Sequence, residues 1–319
     1  MRAVQVERFG GPEVLQVSEV EAPEAGAGEV VVDVEIADVI FLDTLLRRGL
    51  AEEWGMSLPY VAGGAVAGRV RSVGPGVDDA WRGRRVVART GTQGGYAELA
   101  RVDVAVLVPV PDDVTLEQAA ALSRDAVTAL RLVEVTAVGP EDRVVVNAAA
   151  GGAGSLLVQD LVATGADVVG AARGAAKLAV VADLGAAAVD YTSPAWSEKA
   201  VAALGGPPTV VLDGAGGAPG REALAVLADG GRFVGYGAGG GFVVPEPDDV
   251  ARRRLEVRGI TGAQTDPATT RRFTVEAIER LRTGRWAPLI RQRYPLEAAA
   301  LAHAGLEDRT AIAKTLLLV

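Results

Sequence analysis

The 319-residue chain has no cysteine, one histidine and only three lysines, Lys177, Lys199 and Lys314. Without cysteine there is no disulfide, no thiolate nucleophile and no thiolate-ligated metal. A single histidine, His303, excludes a histidine-rich metal site, and any Ser-His-Asp mechanism would have to use it. Positive charge is in deficit as well: 32 basic against 41 acidic residues give a net charge of -9. That balance argues against nucleic acid or an anionic membrane as partner, since both need clustered positive charge. Long hydrophobic runs are missing too. The charge-free stretch 144–159 is rich in glycine and shorter than the ~20 residues that cross a bilayer. The start meets Arg2, Glu7 and Arg8 before any apolar segment of signal-peptide length, so the expected setting is a soluble protein of the cytoplasm.

What is present is ample core material. The chain is 49% hydrophobic, and at ~150 residues per domain its length suggests roughly two domains. The first third reads as β: Val30-Val31-Val32-Asp33-Val34-Glu35-Ile36, Arg69-Val70-Arg71-Ser72-Val73 stopped by Gly74-Pro75-Gly76, residues 84–89, and Tyr96-Ala97-Glu98-Leu99-Ala100. These strands lie too close together for βαβ units and imply a mostly antiparallel or barrel-like domain. Near residue 115 the style changes. Thr115 opens a helix as N-cap, and strands then alternate with helices. Val144-Val145-Val146 is a continuous apolar strand of the buried parallel kind. Helix 155–163, strand 168–171, helix 175–184 and strands 187–189, 210–212 and 232–234 follow, which implies a doubly wound parallel sheet. An amphipathic helix over 268–283 and a closing strand over 314–319 suggest that both ends of the chain build one domain around an inserted one.

The most informative motif is Asn147-Ala148-Ala149-Ala150-Gly151-Gly152-Ala153-Gly154, set between a buried strand and a helix. It departs from G-x-G-x-x-G by Ala149 at the first place. Gly151 lets backbone approach a pyrophosphate, Gly154 lets helix pack on sheet, and the N–H groups of Gly152 and Ala153 face the anion at the helix N-terminus. The alternative is an ordinary glycine-rich strand-to-helix turn. The next strand ends in Ala172, where a carboxylate would bind a ribose 2′-hydroxyl, and Arg173 and Lys177 follow. A missing acid beside two cations suits the 2′-phosphate of NADPH; otherwise these are solvated residues at a helix start.

Further segments occur in a familiar order: Gly11-Pro12-Glu13-Val14-Leu15, Gly94-Gly95-Tyr96-Ala97-Glu98, Ala119-Ala120-Ala121-Leu122, Leu184-Gly185-Ala186, Asp190-Tyr191, Val211-Leu212-Asp213, Gly230-Gly231-Arg232, Tyr294-Pro295-Leu296 and Ala302-His303. With the glycine turn, they resemble the zinc-independent quinone oxidoreductase branch of the medium-chain dehydrogenase/reductase superfamily nearly end to end. The resemblance implies an α/β protein. A GroES-like β-rich catalytic domain would span 1–123 and 265–319, and an NADPH-binding Rossmann domain 124–264, with a cleft between them. It implies that Lys177 and Tyr191 hold the 2′-phosphate, that Thr128 lies near the nicotinamide, and that Tyr236 and Gly237 line the cofactor. Zinc relatives place a Cys where Ile40 lies and a His-Glu pair where Gly64-Ala65 lie, so no catalytic metal is expected. Relatives also pair sheet edges near 242–244 and 255–260, which implies a homodimer.

The departures bear on substrate. The family pattern Gly-Val-Asn-x-x-Asp reads here Asp38-Val39-Ile40-Phe41-Leu42-Asp43, and a common Tyr is Leu45. Ile40, with Phe41, Leu42 and Tyr60, makes the pocket more apolar than the norm and suits a small-molecule, apolar, electron-poor acceptor, bulky and weakly polar rather than small and hydrophilic. Arg124-Asp125 replaces a usually apolar pair; Arg124 either engages substrate or is a surface residue paired with Asp125. Asp43 is an acid or a buried structural hydrogen-bonder, Tyr60 a proton donor or a packing residue, and His303 structural. The expected reaction is hydride transfer from NADPH to a quinone or an α,β-unsaturated carbonyl. An enoyl or tailoring reductase and a non-enzymatic NADPH-binding sensor or structural protein are the alternatives.

Overall fold

The computed structural model of the chain describes residues 1–237 and 239–319. The chain divides into two units. The first comprises Met1–Val127, Asp266–Thr283 and Pro288–Val319, the second Thr128–Thr265 and Gly284–Ala287. The first unit reaches past residue 123 because Arg124 is bound to Asp38 and Asp43, and Asp125 to Lys314.

The first unit is built on the strand Glu29–Val39, whose apolar run Val30-Val31-Val32 is fully buried. Its length serves three antiparallel partners: Ala65–Val73 along most of it, Leu99–Asp103 at its start and Lys314–Leu318 at its end. Arg85–Arg89, Val108–Pro109 and Ile290–Pro295 complete a seven-stranded sheet. A smaller sheet holds Gln16–Glu19, Arg2–Val6 and Tyr60–Val61 in that order. The strand expected over 96–100 begins only at Leu99. The Tyr96 N–H donates to Ala62 O at 2.8 Å and its carbonyl accepts from Val4 N–H at 2.8 Å, so its backbone is taken by other segments and its side chain turns into the core. The helix Leu116–Leu122 starts at Thr115 with reciprocal bonds: Gln118 N–H to Thr115 Oγ1 at 3.1 Å, and Thr115 N–H to Gln118 Oε1 at 2.9 Å.

The second unit contains a six-stranded sheet with every pair parallel. Its spatial order is Ala187–Asp190, Asp167–Ala172, Arg143–Asn147, Val210–Asp213, Arg232–Gly235, Glu256–Arg258. The chain therefore adds strands outward on one side of Arg143–Asn147, then returns and adds them on the other. The carboxyl ends of Arg143–Asn147 and Val210–Asp213 mark the reversal, the place where α/β sheets receive ligands. Val144, Val145 and Val146 are fully buried, as a strand covered on both faces requires. The helices Gly152–Thr164, Ala175–Asp183, Trp196–Ala203 and Gly217–Val226 lie between successive strands.

Candidate functional site

The turn after Arg143–Asn147 is tight. Ala148 adopts a left-handed φ of 55°, and the Ala149 N–H donates to Ala171 O at 3.1 Å. Gly151, in extended conformation, caps the helix Gly152–Thr164. A Cβ on Gly154 would stand 2.3 Å from Ala148 O and 2.9 Å from Ala149 Cα, so only glycine lets the helix descend this close to the strand. The N–H groups of Gly152, Ala153 and Gly154 have no acceptor within the helix and lie at the positive end of its dipole.

A second corner forms where Asp167–Ala172 ends beside Ala187–Asp190, with Ala172 opposite Asp190. Gly174, at φ 79°, caps the helix Ala175–Asp183 and places half-buried Lys177 in its first turn, while Arg173 is exposed. The Tyr191 N–H donates to Ala172 O at 3.1 Å, and its ring meets Trp196 edge-on at 6.5 Å. Arg173, Lys177 and Tyr191 thus come to one corner. The sequence reading missed the group that ties it together. Asp190 accepts from the Thr192 hydroxyl at 2.6 Å, the Thr192 N–H at 2.8 Å and the Gly174 N–H at 3.2 Å. These bonds, with Arg173 nearby, hold its carboxyl below the usual range. The Asp190-Tyr191-Thr192 spacing of an Asx turn was the available signal.

At the reversal point Asn147 Nδ2 donates to Asp213 Oδ1 at 3.1 Å. The same oxygen accepts from Ala215 N–H at 3.1 Å and Gly216 N–H at 3.0 Å. The Tyr236 hydroxyl reaches Asn147 O at 3.4 Å, and Gly237 donates to Asp213 O at 3.2 Å. A Cβ on Gly237 would lie 2.1 Å from Gly214 O, and one on Gly214 2.5 Å from the Tyr236 hydroxyl. Glycine at both places keeps backbone against backbone at the sheet's carboxyl edge. Thr128, half-buried, begins this unit within the helix Asp125–Thr136.

In the first unit the corner 38–43 is dominated by buried charge. Arg124 is no surface residue: it is 5% exposed and does not pair with Asp125. Its Nε donates to Asp38 Oδ2 at 2.7 Å and its Nη2 to Asp38 O at 2.8 Å. Its Nη1 and Nη2 donate to Asp43 Oδ1 and Oδ2, both at 2.7 Å. Donors so engaged are not offered to a substrate. Lys314 Nζ bridges Asp38 and Asp125. Asp43 itself is buried, 3% exposed. It also accepts from Ile40 N–H at 3.0 Å and from the Tyr96 hydroxyl at 2.9 Å. Burial pushes its carboxyl up, but Arg124 outweighs burial and holds it below its ordinary value.

Tyr60 is buried among Val4, Val39 and Leu46, and its hydroxyl has no partner among the described residues. Burial, helped by the Asp43 charge, pushes it up to about 12, which makes it a poor acid. Ile40 is half-buried between the end of Glu29–Val39 and the helix Phe41–Leu45. Phe41 and Leu45 are half-buried too, whereas Leu42 packs against the core with Val4 and Leu46 and is not a free wall. His303 is fully buried, its Nε2 3.1 Å from the Tyr96 hydroxyl. Because that hydroxyl donates to Asp43, Nε2 must carry the proton that the Tyr96 oxygen accepts. Burial pushes His303 down to about 4, against the opposing pull of Asp43. Among the described residues no group of three or more His, Cys, Asp or Glu is placed to hold a metal ion, and no helix is long and apolar enough to cross a membrane.

Two family models match the chain: the alcohol dehydrogenase GroES-like domain over residues 26–112 and the zinc-binding dehydrogenase over 152–280. The rat quinone oxidoreductase is 36% identical over 170 residues, 53% of this chain and 51% of that protein. The chain thus spans about half the length of the curated relatives it matches. Over whole chains, a mycobacterial quinone oxidoreductase is 32% identical, with full coverage of both and a TM-score of 0.84. The Escherichia coli quinone oxidoreductase, solved in complex with NADPH, is 27% identical, again with full coverage of both, at a TM-score of 0.93.

Proposed function

The chain belongs to the quinone oxidoreductase branch of the medium-chain dehydrogenase/reductase superfamily, and on that premise we propose that it is an NADPH-dependent reductase of quinones or α,β-unsaturated carbonyls. The observation that carries the reading is the corner at Ala172: no carboxylate on the strand end, with Arg173, Lys177 and Tyr191 gathered beside it. The turn fits a pyrophosphate on its own terms: glycine at 154 lets the helix pack down on the strand, and the N–H groups of Gly152, Ala153 and Gly154 stand without helix acceptors at the positive end of its dipole. The N–H groups of Gly152, Ala153 and Gly154 would hold the pyrophosphate, Gly151 would let it approach the backbone, and Arg173, Lys177 and Tyr191 would hold the 2′-phosphate. Thr128, Tyr236 and Gly237 would line the nicotinamide end. Bound there, NADPH supplies the hydride.

The chain's own part is to bind and orient. Quinones and enones delocalise arriving negative charge, so positioning accounts for much of the rate, up to ~7–11 kcal/mol in the best cases. Ile40, Phe41 and Leu45 give the acceptor an apolar wall. No side chain at the corner is poised as an acid: Asp43 is ionised and engaged, and Tyr60 is a high-pKa phenol. The proton therefore comes from solvent. With no cysteine and one buried histidine, the site works without zinc.

NADPH oxidation across a panel of quinones and enones tests this, and a chelator is expected to leave the rate unchanged. Oxidation confined to enoyl thioesters would move the substrate class to an enoyl reductase. Tight NADPH binding without oxidation of any acceptor would leave a binding protein. In fluorescence titrations Lys177→Ala is expected to weaken NADPH by about 10- to 100-fold, the value of one charge-assisted phosphate contact, and to leave NADH nearly unchanged. Equal affinities of the unmodified chain for both cofactors would refute the assignment.

We also propose that two copies pair along the edge strand Glu256–Arg258. It is hydrogen-bonded on one side only, and Phe242, Val244 and Ile260 nearby are exposed. Light scattering is expected to give twice the 32.7 kDa chain mass; a single-chain mass at micromolar concentration would overturn it.

A further inference from the structure

The corner that carries Ile40 is held from beneath by one side chain. Asp38 lies two residues before Ile40, at the end of the strand Glu29–Val39; Asp43 lies three after it, in the first turn of the helix Phe41–Leu45. Arg124 reaches both from a distant part of the chain. Its Nε and Nη2 bind the side chain and carbonyl of Asp38, and its Nη1 and Nη2 make a two-pronged contact with the Asp43 carboxylate, at 2.7 to 2.8 Å throughout. Asp43 in turn accepts the Ile40 N–H at 3.0 Å. Residues on both sides of Ile40, the carbonyl and side chain of Asp38 and the side chain of Asp43, are thus bound to a single rigid planar cation.

The surroundings are fitted to that cation. A Cβ on Gly64 would stand 2.9 Å from Arg124 Nη1 and 2.6 Å from Gly91 O, so a side chain there would displace the fork. Ser123 Oγ donates to Asp38 Oδ2 at 3.2 Å, the Tyr96 hydroxyl donates to Asp43 at 2.9 Å, and Lys314 pairs with Asp38. A fold that needed only to neutralise Asp38 and Asp43 had no use for a fork joining them. A lysine, a point charge on a flexible stem, would neutralise without fixing direction.

We propose that Arg124 is a positioning residue of the reductase site, which sets the place of the Ile40 wall by clamping Asp38 and Asp43 at once. The proposal rests on the reading that Ile40 faces the acceptor. Misplacing a reacting partner by about an ångström costs up to about 100-fold in rate, so loosening this corner is a kinetic event as well as a structural one.

The test compares the unmodified chain with Arg124→Lys and Asp38→Asn. Asp38→Asn keeps an amide oxygen able to accept from Nε, so it is expected to fold even if the lysine variant does not. Three quantities are measured on each folded variant: backbone hydrogen exchange over 38–45, NADPH affinity, and kcat and KM with the best acceptor of the panel. In Arg124→Lys, exchange at Ile40 is expected to rise and kcat to fall about 10- to 100-fold. NADPH affinity should stay within about twofold, because the residues proposed to hold it lie in the other unit. Asp38→Asn should show smaller changes of the same sign. Faster exchange with unchanged kcat and KM, or unchanged exchange, overturns the proposal. If the unmodified chain reduces no acceptor, the reading beneath it fails and the proposal falls with it; active wild type beside equally active variants removes the proposal alone.

Discussion

Asp43→Ala is expected to lower the melting temperature by on the order of 6–20 °C, because it removes the acceptor of four hydrogen bonds in a dry interior. Breaking one side of a buried ion pair costs about 3–5 kcal/mol, chiefly through the charge left unpaired. Each kcal/mol moves the midpoint of a unit the size of the first, which holds Asp43, by about 2–4 °C. The guanidinium of Arg124 would keep Asp38 but lose its second carboxylate, and the Tyr96 hydroxyl would lose its acceptor. Asp43→Asn should cost less, since its amide oxygen can still accept from one arm of the fork. Thermal melts decide it; a fall below about 2 °C would mean that water replaces the lost carboxylate, so that the corner is not dry.

The second large effect is an acid sensitivity carried by one residue. The unfolded chain takes up a proton on His303 near its ordinary 6.5, the folded chain only at about 4. Between these values the unfolded state holds more protons, so stability is complete above about pH 6.5 and is lost as pH falls toward 4. The difference is worth about 3 kcal/mol across that window. Asp125, pushed up by burial, acts with the opposite sign, and Asp43 contributes only at lower pH. Stability curves in denaturant at several pH values, for the chain and for His303→Gln, isolate the effect. The variant amide can still donate to Tyr96 but does not titrate, so its profile should be flatter between pH 6.5 and 4.5. Parallel profiles would show that His303 binds its proton in the folded chain as readily as in the unfolded one. The lone histidine also makes its tautomer readable by NMR without assignment of competitors.

How far these features could be read in advance depends on how local their causes are. The strand through Val144-Val145-Val146 is apolar at consecutive positions, and the turn after it needs Gly154 for a clash with Ala148 six residues earlier; both signals sit within one short window. Thr115 and Gln118 satisfy each other across three residues. Arg124 is the opposite case. Its partners are 86 and 81 residues away, and nothing near it distinguishes a buried fork from a solvated arginine or an anion anchor. The short-strand pattern in 96–100 misleads for the same reason: the backbone of Tyr96 is bound by Ala62 and Val4, which no local pattern announces.

The strand Lys314–Leu318 carries a consequence for the order in which the molecule is made. It pairs with residues 36–39, and its Lys314 reaches Asp38, so one side of the Ile40 corner waits for chain synthesised some 275 residues later. At roughly 5–20 residues per second a ribosome needs on the order of 15–60 s to span that gap. Nearly the whole parallel sheet unit, Thr128–Thr265, emerges in one piece during the interval. On the nascent chain, Asp38 and Arg124 can meet well before Lys314 exists, leaving the strand edge at 36–39 open until its neighbour arrives. That edge stays an unpaired strand edge, the kind of surface that invites pairing with another chain, until the closing strand arrives.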